Sequence, residues 1–321
     1  MTIKLGLVTF VCMTGLAVVA DEKPVVADEN PVVADENPVV ADENSVVGVK
    51  IGDNKKQVQN TLFSICDKLV ETNEQQVSFP LAKNAAQHLV CENLLTGGKV
   101  AVTLADGKVV HVFAKDLAKG SVKQVKGENK AYLGYQVSSD YMLWRHHENR
   151  TVTLLSQKGL HPNLFVWESP YLSPEVHVNR PVDLTNGLPS ILQFGASFKA
   201  LKAELEAQCQ PMLIKETKPW LPNKPEKQLQ VNCFNLNYLG FPRKLEFVFG
   251  DDQLELVWIL SAKEEEGRIR ELLVDYFGPA SNVTPDWETF KRGEVYLRKD
   301  KPEVLAVSAS LVSHYLKQTQ G

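Results

Sequence analysis

The sequence lacks a second long apolar run, a strong excess of one charge and the short motifs of common catalytic sites. After residue 20 no segment is apolar for long enough to span a bilayer. The formal net charge of −4 arises mainly from one acidic segment near the N-terminus, so the remainder gives no electrostatic reason to expect a nucleic-acid partner. The chain has no G-x-S-x-G, H-E-x-x-H or C-x-x-C motif and no glycine-rich phosphate loop. We therefore expect a protein without catalytic activity.

The first 20 residues are typical of a secretory signal peptide. Lys4 supplies a short basic start, Leu5–Val19 is a nearly unbroken apolar run, and Ala20 offers a small-residue cleavage site. An N-terminal membrane anchor is the alternative, but the run is shorter than the ~20 residues that a spanning helix needs. Cys12 lies inside the run and lacks the small residues that precede a lipidated cysteine. We expect cleavage after Ala20 and a mature chain that is periplasmic or secreted.

Residues 21–47 form an acidic segment with a seven-residue repeat. The four units are DEKPVVA, DENPVVA, DENPVVA and DENSVVG, the last ending at Gly48. Prolines in three of them forbid a continuous helix, and so acidic a segment buries too little apolar surface to fold alone. The segment is predicted to be a disordered spacer that extends by about 3.1 Å per residue. It acts as a tether or a weak cation-binding tail, or it is a solvated repeat without a function.

The strongest pattern in the sequence is an internal repeat. In each copy a glycine is followed at six, ten and fourteen residues by apolar or cysteine positions that lie on one helix face. These positions are Gly52, Val58, Leu62 and Cys66 in the first copy, and Gly195, Leu201, Leu205 and Cys209 in the second. Each copy is therefore predicted to open with an amphipathic helix that ends at a cysteine.

A second cysteine follows in each copy at nearly the same distance. Cys91 lies 25 residues after Cys66, and Cys233 lies 24 residues after Cys209. Four cysteines in an exported chain predict disulfides, for which three connectivities are possible. The internal repeat selects the pairs Cys66–Cys91 and Cys209–Cys233.

Hairpin and helix patterns complete each copy. The first hairpins are predicted at 100–113 and 245–260, the second at 143–155 and 296–308, and helices at 264–277 and, less regularly, at 115–133. The expected fold class is α+β, with two tandem repeats that each have a four-stranded antiparallel sheet, helices on one face and one disulfide. We place repeat domain 1 with its connector at 48–185 and repeat domain 2 at 186–321. The connector is expected to contain a short strand at 164–167.

This succession resembles the tandem-repeat β-lactamase inhibitor proteins. Its features are a glycine, a helix with leucine spacing and a cysteine, a disulfide and a four-stranded sheet, present twice. A single copy also resembles the small helix-plus-sheet modules of bacterial outer-membrane assembly lipoproteins. The loops here are longer than in the inhibitors, and no cysteine is placed for lipidation. The resemblance implies a non-catalytic, protein-binding scaffold and transfers no residue roles.

A proline-rich stretch inside the second disulfide loop is the best candidate for a partner contact. Pro219, Trp220, Leu221 and Pro222 lie in the segment 215–225, where three prolines stiffen the chain around one tryptophan. A rigid loop that presents an aromatic side chain loses little entropy on binding. In the alternative interpretation, Trp220 folds back and covers its own domain core.

A histidine-rich stretch is the candidate for metal chemistry. His146, His147 and Glu148 are adjacent, and His111 or His161 is available as a further ligand. At a hairpin turn, however, the adjacent histidines do not face the same way, which favours a polar turn with no metal and no cofactor. We expect an exported, non-catalytic module that binds an exported or envelope protein. The alternatives are an envelope structural or assembly factor, and a metal-binding protein or enzyme that uses the histidine turn.

Overall fold

The computed structural model describes residues 45–73, 79–117, 132–136, 141–146, 151–174, 184–185, 187–209 and 211–319. The predicted signal peptide and tether residues 21–44 lie outside the described residues. We call 45–174 the first half and 184–319 the second half. Both halves belong to one compact unit of the chain. Among the described residues, no helix has the length and hydrophobicity needed to cross a bilayer.

In the first half, the described residues contain an α-helix and a seven-stranded antiparallel sheet. The helix is α1 (Lys55–Phe63). The strands are β1 (Leu69–Asn73), β2 (Ala86–Cys91), β3 (Lys99–Ala105), β4 (Lys108–Lys115), β5 (Tyr132–Gln136), β6 (Tyr141–His146) and β7 (Thr151–Ser156). Their order in the sheet is β1-β2-β3-β4-β7-β6-β5. The sheet therefore consists of a four-stranded meander, β1 to β4, and a three-stranded meander, β5 to β7, which are joined by pairing of β4 with β7.

The second half has three helices and an eight-stranded antiparallel sheet. A two-stranded ribbon, β8 (Leu184–Thr185) and β9 (Leu188–Pro189), precedes them, and the helices are α2 (Phe198–Gln208), α3 (Glu266–Phe277) and α4 (Val312–Thr319). The strands are β10 (Met212–Thr217), β11 (Gln228–Tyr238), β12 (Phe241–Gly250), β13 (Gln253–Leu260), β14 (Asn282–Val283), β15 (Trp287–Phe290), β16 (Val295–Arg298) and β17 (Glu303–Val307). The order β10-β11-β12-β13-β17-β16-β15-β14 joins two meanders in the same way as in the first half.

The two predicted opening helices are present, and polar residues cap both. The side chain of Asn54 accepts the N–H of Gln57, whose own side chain accepts the N–H of Asn54, forming a capping box. Ser197 caps α2 by accepting the N–H of Ala200. The helix positions predicted to face the core are buried, namely Val58, Leu62, Leu201 and Leu205. The spacing in the sequence therefore gave the correct helix faces.

The repeated glycines sit in matching backbone turns. Gly52 and Gly195 have φ angles of 88° and 82°, a region that non-glycine residues rarely adopt. The N–H of Gly52 donates to the carbonyl of Val109, and the N–H of Gly195 donates to the carbonyl of Leu254. Each glycine thus fastens the start of its helix to the second strand of the following hairpin.

Both predicted disulfides are present, Cys66–Cys91 and Cys209–Cys233, with Cα–Cα distances of 5.9 Å and 4.8 Å. The class α+β is confirmed, but each sheet is larger than the four strands expected. The segment closed by each disulfide is itself a hairpin, β1–β2 or β10–β11. The predicted second hairpins are present as β6–β7 and β16–β17. The second meanders add β5, β14 and β15, of which β5 lies where the sequence predicted the end of a helix.

Two further expectations need correction. Helices were expected on one face of each sheet, but α4 packs on the face of the second sheet opposite to α2 and α3. Leu311 and Tyr315 cover Leu256 there, whereas α2 covers the alternate residue Val257. The strand expected at 164–167 is a 3₁₀ turn at Leu164–Val166, because its apolar residues fill the space between the halves rather than extend a sheet.

The end of the predicted tether is not solvated. Val46 and Val47 are buried in the core of the first half, and Val46 pairs with Val49 across a tight turn. That turn places Gly48 at φ 79°, where an added Cβ would lie 3.0 Å from Thr61. The three preceding units have alanine at the glycine position and aspartate after it, so none fits the turn as well as the fourth unit. The ordered fold therefore begins before residue 48.

An aromatic cluster joins the two halves. Phe79 and Trp167 of the first half pack against Phe241 of the second, with ring centroids 5.2 to 5.6 Å apart. Arg268 of α3 donates to the carbonyl of Ala82 at 2.7 Å. This buried junction fixes one half against the other.

Candidate functional site

The hairpin β10–β11 carries the candidate partner-binding loop at its end. The Cys209–Cys233 disulfide ties α2 to β11, and Met212 begins β10 directly opposite Cys233. Six consecutive residue pairs join the two strands without an irregularity, ending at the pair of Thr217 and Gln228. The loop between them, residues 218–227, is thus held at both ends by a regular ladder.

Gln228 holds the loop in place. Its side chain is buried, and its Oε1 accepts the N–H groups of Trp220 at 3.0 Å and Leu221 at 3.1 Å. The amide of the same side chain donates to Oγ1 of Thr217 at 2.8 Å. One buried side chain therefore fixes the loop backbone between Pro219 and Pro222 and bonds to the side chain of Thr217 at the end of β10.

Trp220 and Leu221 point to opposite environments. The side chain of Trp220 is 48 % exposed, whereas Leu221 is 2 % exposed and packs against Val248, Leu256 and the residues that α4 covers. The core is therefore covered by Leu221 and not by Trp220. Of the two flanking prolines, Pro219 is exposed and Pro222 is half-buried. The structure thus brings Pro219 and Trp220 to the surface together.

A second set of hydrogen bonds holds the far side of the loop. Asn223 donates to Oε1 of Glu255 at 3.1 Å, and Oε2 of Glu255 accepts hydrogen bonds from Ser308 and Ser310. The N–H of Lys227 donates to Oδ1 of Asp251, and the N–H of Asp251 donates to the carbonyl of Lys227. Glu255 thereby connects the loop to the segment that leads into α4.

The loop packs closely against β12 because Gly250 at the end of that strand has no side chain. A Cβ added to Gly250 would lie 3.0 Å from Cδ1 of Leu221 and 3.2 Å from Pro225. Both contacts are tighter than ordinary van der Waals packing allows. Gly250 therefore lets Leu221 and Pro225 seat fully against the sheet, which leaves Trp220 outside.

The histidine stretch falls mostly outside the described residues. His146 is the last residue of β6, and residues 147–150, which include His147 and Glu148, are not described. In the parts of the chain that the structure describes, no three His, Cys, Asp or Glu side chains are grouped to hold a metal ion. The metal-binding alternative gains no support from the described residues.

The two other candidate ligands have packing roles. His111 is fully buried beside Trp167, and burial lowers its pKa to about 3. His161 lies with Nε2 3.1 Å from the carbonyl oxygen of Pro302 and 3.4 Å from Oε1 of Glu303. Burial lowers the pKa of His161 and raises that of Glu303 to about 7. These groups form part of the contact between the halves.

Two residues of this region escaped the sequence analysis. Gln228 gives no signal in the sequence, because a buried glutamine that accepts loop N–H groups has no characteristic spacing. Ile214 lies on β10 and is 46 % exposed, whereas β10 itself was taken as part of a loop. Residues 212–217 are three apolar residues followed by three polar ones, so no alternation indicated a strand there.

Comparisons of the chain with protein-family models, with curated proteins and with solved structures found no match.

Proposed function

We propose that this chain is an exported, non-catalytic protein-binding module that contacts its partner through the Trp220 loop. The observation that carries the proposal is a half-exposed tryptophan on a loop whose backbone is fixed by the buried side chain of Gln228. A large aromatic side chain that is left outside a well-packed core is typical of a binding hot spot. The partner is an exported or envelope protein.

The fixed loop favours binding because its backbone is already ordered in the free protein. Its backbone hydrogen bonds and the seated Leu221 already restrict the loop in the free protein. Association therefore removes less conformational freedom than it would from a mobile loop. Such preorganisation is the property expected of an inhibitor-like binding element.

Gene duplication accounts for the scaffold in this proposal. The two sheets join their two meanders in the same way, the glycine turns match, and each copy has one disulfide. The first copy has no tryptophan between its cysteines, so the duplicated halves have diverged at the binding loop. The resemblance to tandem inhibitor proteins and the signal-like N-terminus agree with an exported binding scaffold.

The test is chemical crosslinking of the mature protein in its own cell envelope, followed by mass spectrometry. We expect one dominant partner for the wild type and for Lys218→Ala, and its loss for Trp220→Ala. Loss of a hot spot of at least about 2 kcal/mol weakens binding roughly 30-fold. Equal capture by Trp220→Ala and the wild type would exclude this loop as the contact. Capture of many outer-membrane components by all three proteins would favour an envelope assembly factor.

A further inference from the structure

Strand β10 forms an edge of the second sheet. It is the terminal strand of the eight-stranded order, and among the described residues only β11 pairs with it. The other end of that sheet, β14, has two residues, whereas β10 has six. A strand of six residues presents an edge of about 20 Å. Backbone N–H and C=O groups along such an edge can pair with another extended chain.

The register identifies which backbone groups face outward. Phe234 donates its N–H to the carbonyl of Pro211, so the residue pair 211 and 234 is a hydrogen-bonded pair. Hydrogen-bonded pairs alternate with non-hydrogen-bonded pairs along an antiparallel ladder. The backbone groups of Met212, Ile214 and Glu216 therefore point away from β11. These three residues offer the donors and acceptors that an added strand needs.

The corresponding edge of the first half is protected by charge. Leu69 in β1 and Met212 in β10 lie opposite the second cysteine of their halves, so Glu71 and Ile214 occupy equivalent positions. Glu71 forms an ion pair with Lys55 of α1. Ile214 instead leaves an apolar side chain 46 % exposed at the edge. Charged residues on edge strands oppose unwanted pairing. On β10 the charged side chains are the exposed Lys215 and Glu216, while Ile214 beside them leaves an apolar position on the edge.

The edge is also held rigid at both ends. The Cys209–Cys233 disulfide lies beside its first residue, and Gln228 donates to Thr217 at its last. No proline or register shift interrupts the strand. An incoming chain would therefore meet a preformed template and would not have to order it.

We infer that β10 binds an extended segment of the partner protein by β-strand addition, with Trp220 contacting the partner at the end of the new strand. This inference rests on the proposed function, and it specifies the chemistry of the partner. The bound segment is an exposed stretch of about six residues in extended conformation. It places an apolar side chain beside Ile214 and a polar or acidic side chain beside Lys215.

The experiment compares Glu216→Pro with Glu216→Ala. Both variants lack the carboxylate, but only proline removes the outward N–H that would donate to the added strand. The probe is the photo-crosslinking residue p-benzoyl-phenylalanine at position 215, introduced into each variant and into the wild type. Photolysis is carried out in the cell envelope, and the crosslinked partner is quantified by mass spectrometry.

We expect the wild type and Glu216→Ala to capture the same partner, and Glu216→Pro to capture at least tenfold less. In the captured complex, the amides of Ile214 and Glu216 should exchange hydrogen more slowly than in the free protein. Equal capture by the proline and alanine variants, or unchanged amide exchange, would refute strand addition. If that partner is still lost in Trp220→Ala, the proposed function stands without strand addition. If the wild type captures nothing with this probe but still captures a partner by chemical crosslinking, strand addition alone is refuted; if it captures nothing in either experiment, the proposed function itself fails.

A second pair of variants guards against a folding defect in Glu216→Pro. Ile214→Lys places a charge at the edge, and Ile214→Val keeps the edge apolar. Should Glu216→Pro unfold at a clearly lower temperature, reduced capture by the lysine variant alone would support strand addition. Equal capture by both would oppose it. A dimer of the purified wild type that Ile214→Lys dissociates would instead assign the edge to a second copy of the chain and overturn the inference.

Discussion

At the scale of single residues, His111 is a buried polar side chain whose described surroundings offer it no hydrogen bond. It is fully buried, and neither ring nitrogen has a hydrogen-bond partner among the described residues. Its ring packs at 5.0 Å from Trp167 and 5.9 Å from Phe79. Burial, with a smaller contribution from His88, lowers the pKa of His111 to about 3. The folded protein therefore keeps this side chain neutral at a pH where the unfolded chain protonates it.

We predict that replacing His111 weakens the acid sensitivity of the fold. Because the folded pKa lies below the ordinary value, His111 favours unfolding progressively as the pH falls from about 6.5 toward 3. The loss reaches at most about 5 kcal/mol, from 1.36 kcal/mol per pKa unit. His111→Leu should therefore lose less stability than the wild type between pH 7 and pH 4 in urea unfolding. His314→Gln controls for the removal of a histidine, and parallel curves for His111→Leu and the wild type would contradict the prediction.

At the scale of single elements, the β10–β11 hairpin shows how a sheet positions a loop. The disulfide fixes its base, Gln228 fixes its end, and Leu221 seats on the face that α4 covers. The exposure of Trp220 follows from these three constraints, since its neighbour occupies the space in the core. The prolines shape the loop, but the hydrogen bonds of Gln228 determine its direction.

We predict that Gln228→Ala loosens the loop and destabilises the protein. The substitution leaves the buried N–H of Leu221 without its acceptor, which costs about 1–3 kcal/mol. Urea unfolding measures the loss, and chymotrypsin should cleave faster after Trp220, whose next residue is not proline. Gln230→Ala is the matched control, because Gln230 lies on the same strand and its amide bonds to Asn232 rather than to the loop. Unchanged cleavage in Gln228→Ala would show that the prolines alone hold the loop.

At the scale of the whole molecule, the two sheets are coupled through the aromatic junction and through polar contacts between the halves. Phe241 from the second half lies among Phe79 and Trp167, and Arg268 donates to the first half. Lys158 and Glu264 add an ion pair at 2.7 Å, in which the lysine is exposed and the contribution small. The apolar cluster therefore carries most of the coupling.

We predict that Trp167→Ala separates the unfolding of the two halves. Truncation of a buried tryptophan typically costs about 3–5 kcal/mol, and here the cavity opens in the junction. Calorimetry should show one transition for the wild type and two for the variant. Trp220→Ala is the control, since an exposed side chain away from the core changes stability by about 0.5 kcal/mol or less. A single transition for Trp167→Ala would mean that the polar contacts suffice for coupling.

Local periodicity and repetition along the chain were enough to predict several features of the fold. Glycine, leucine and cysteine spacing gave the opening helices, their buried faces and both disulfides, because residues four apart share a helix face whatever surrounds them. Turn residues between alternating runs gave the first hairpin of each half. The proline-rich segment does contain a loop, residues 218–227 between β10 and β11, and its role as a partner contact stays a prediction.

Long-range packing determines which of two neighbouring side chains turns inward and which strands extend each sheet. Leu221 rather than Trp220 entered the core because Gly250 and α4 leave a space of leucine size there. The strands β1 and β10 lie at sheet edges and lack a fully buried face, so their sequences carry little of the pattern that marks a strand. The free edge of β10 likewise exists only because no other described strand reaches it, a fact of topology that no local pattern encodes.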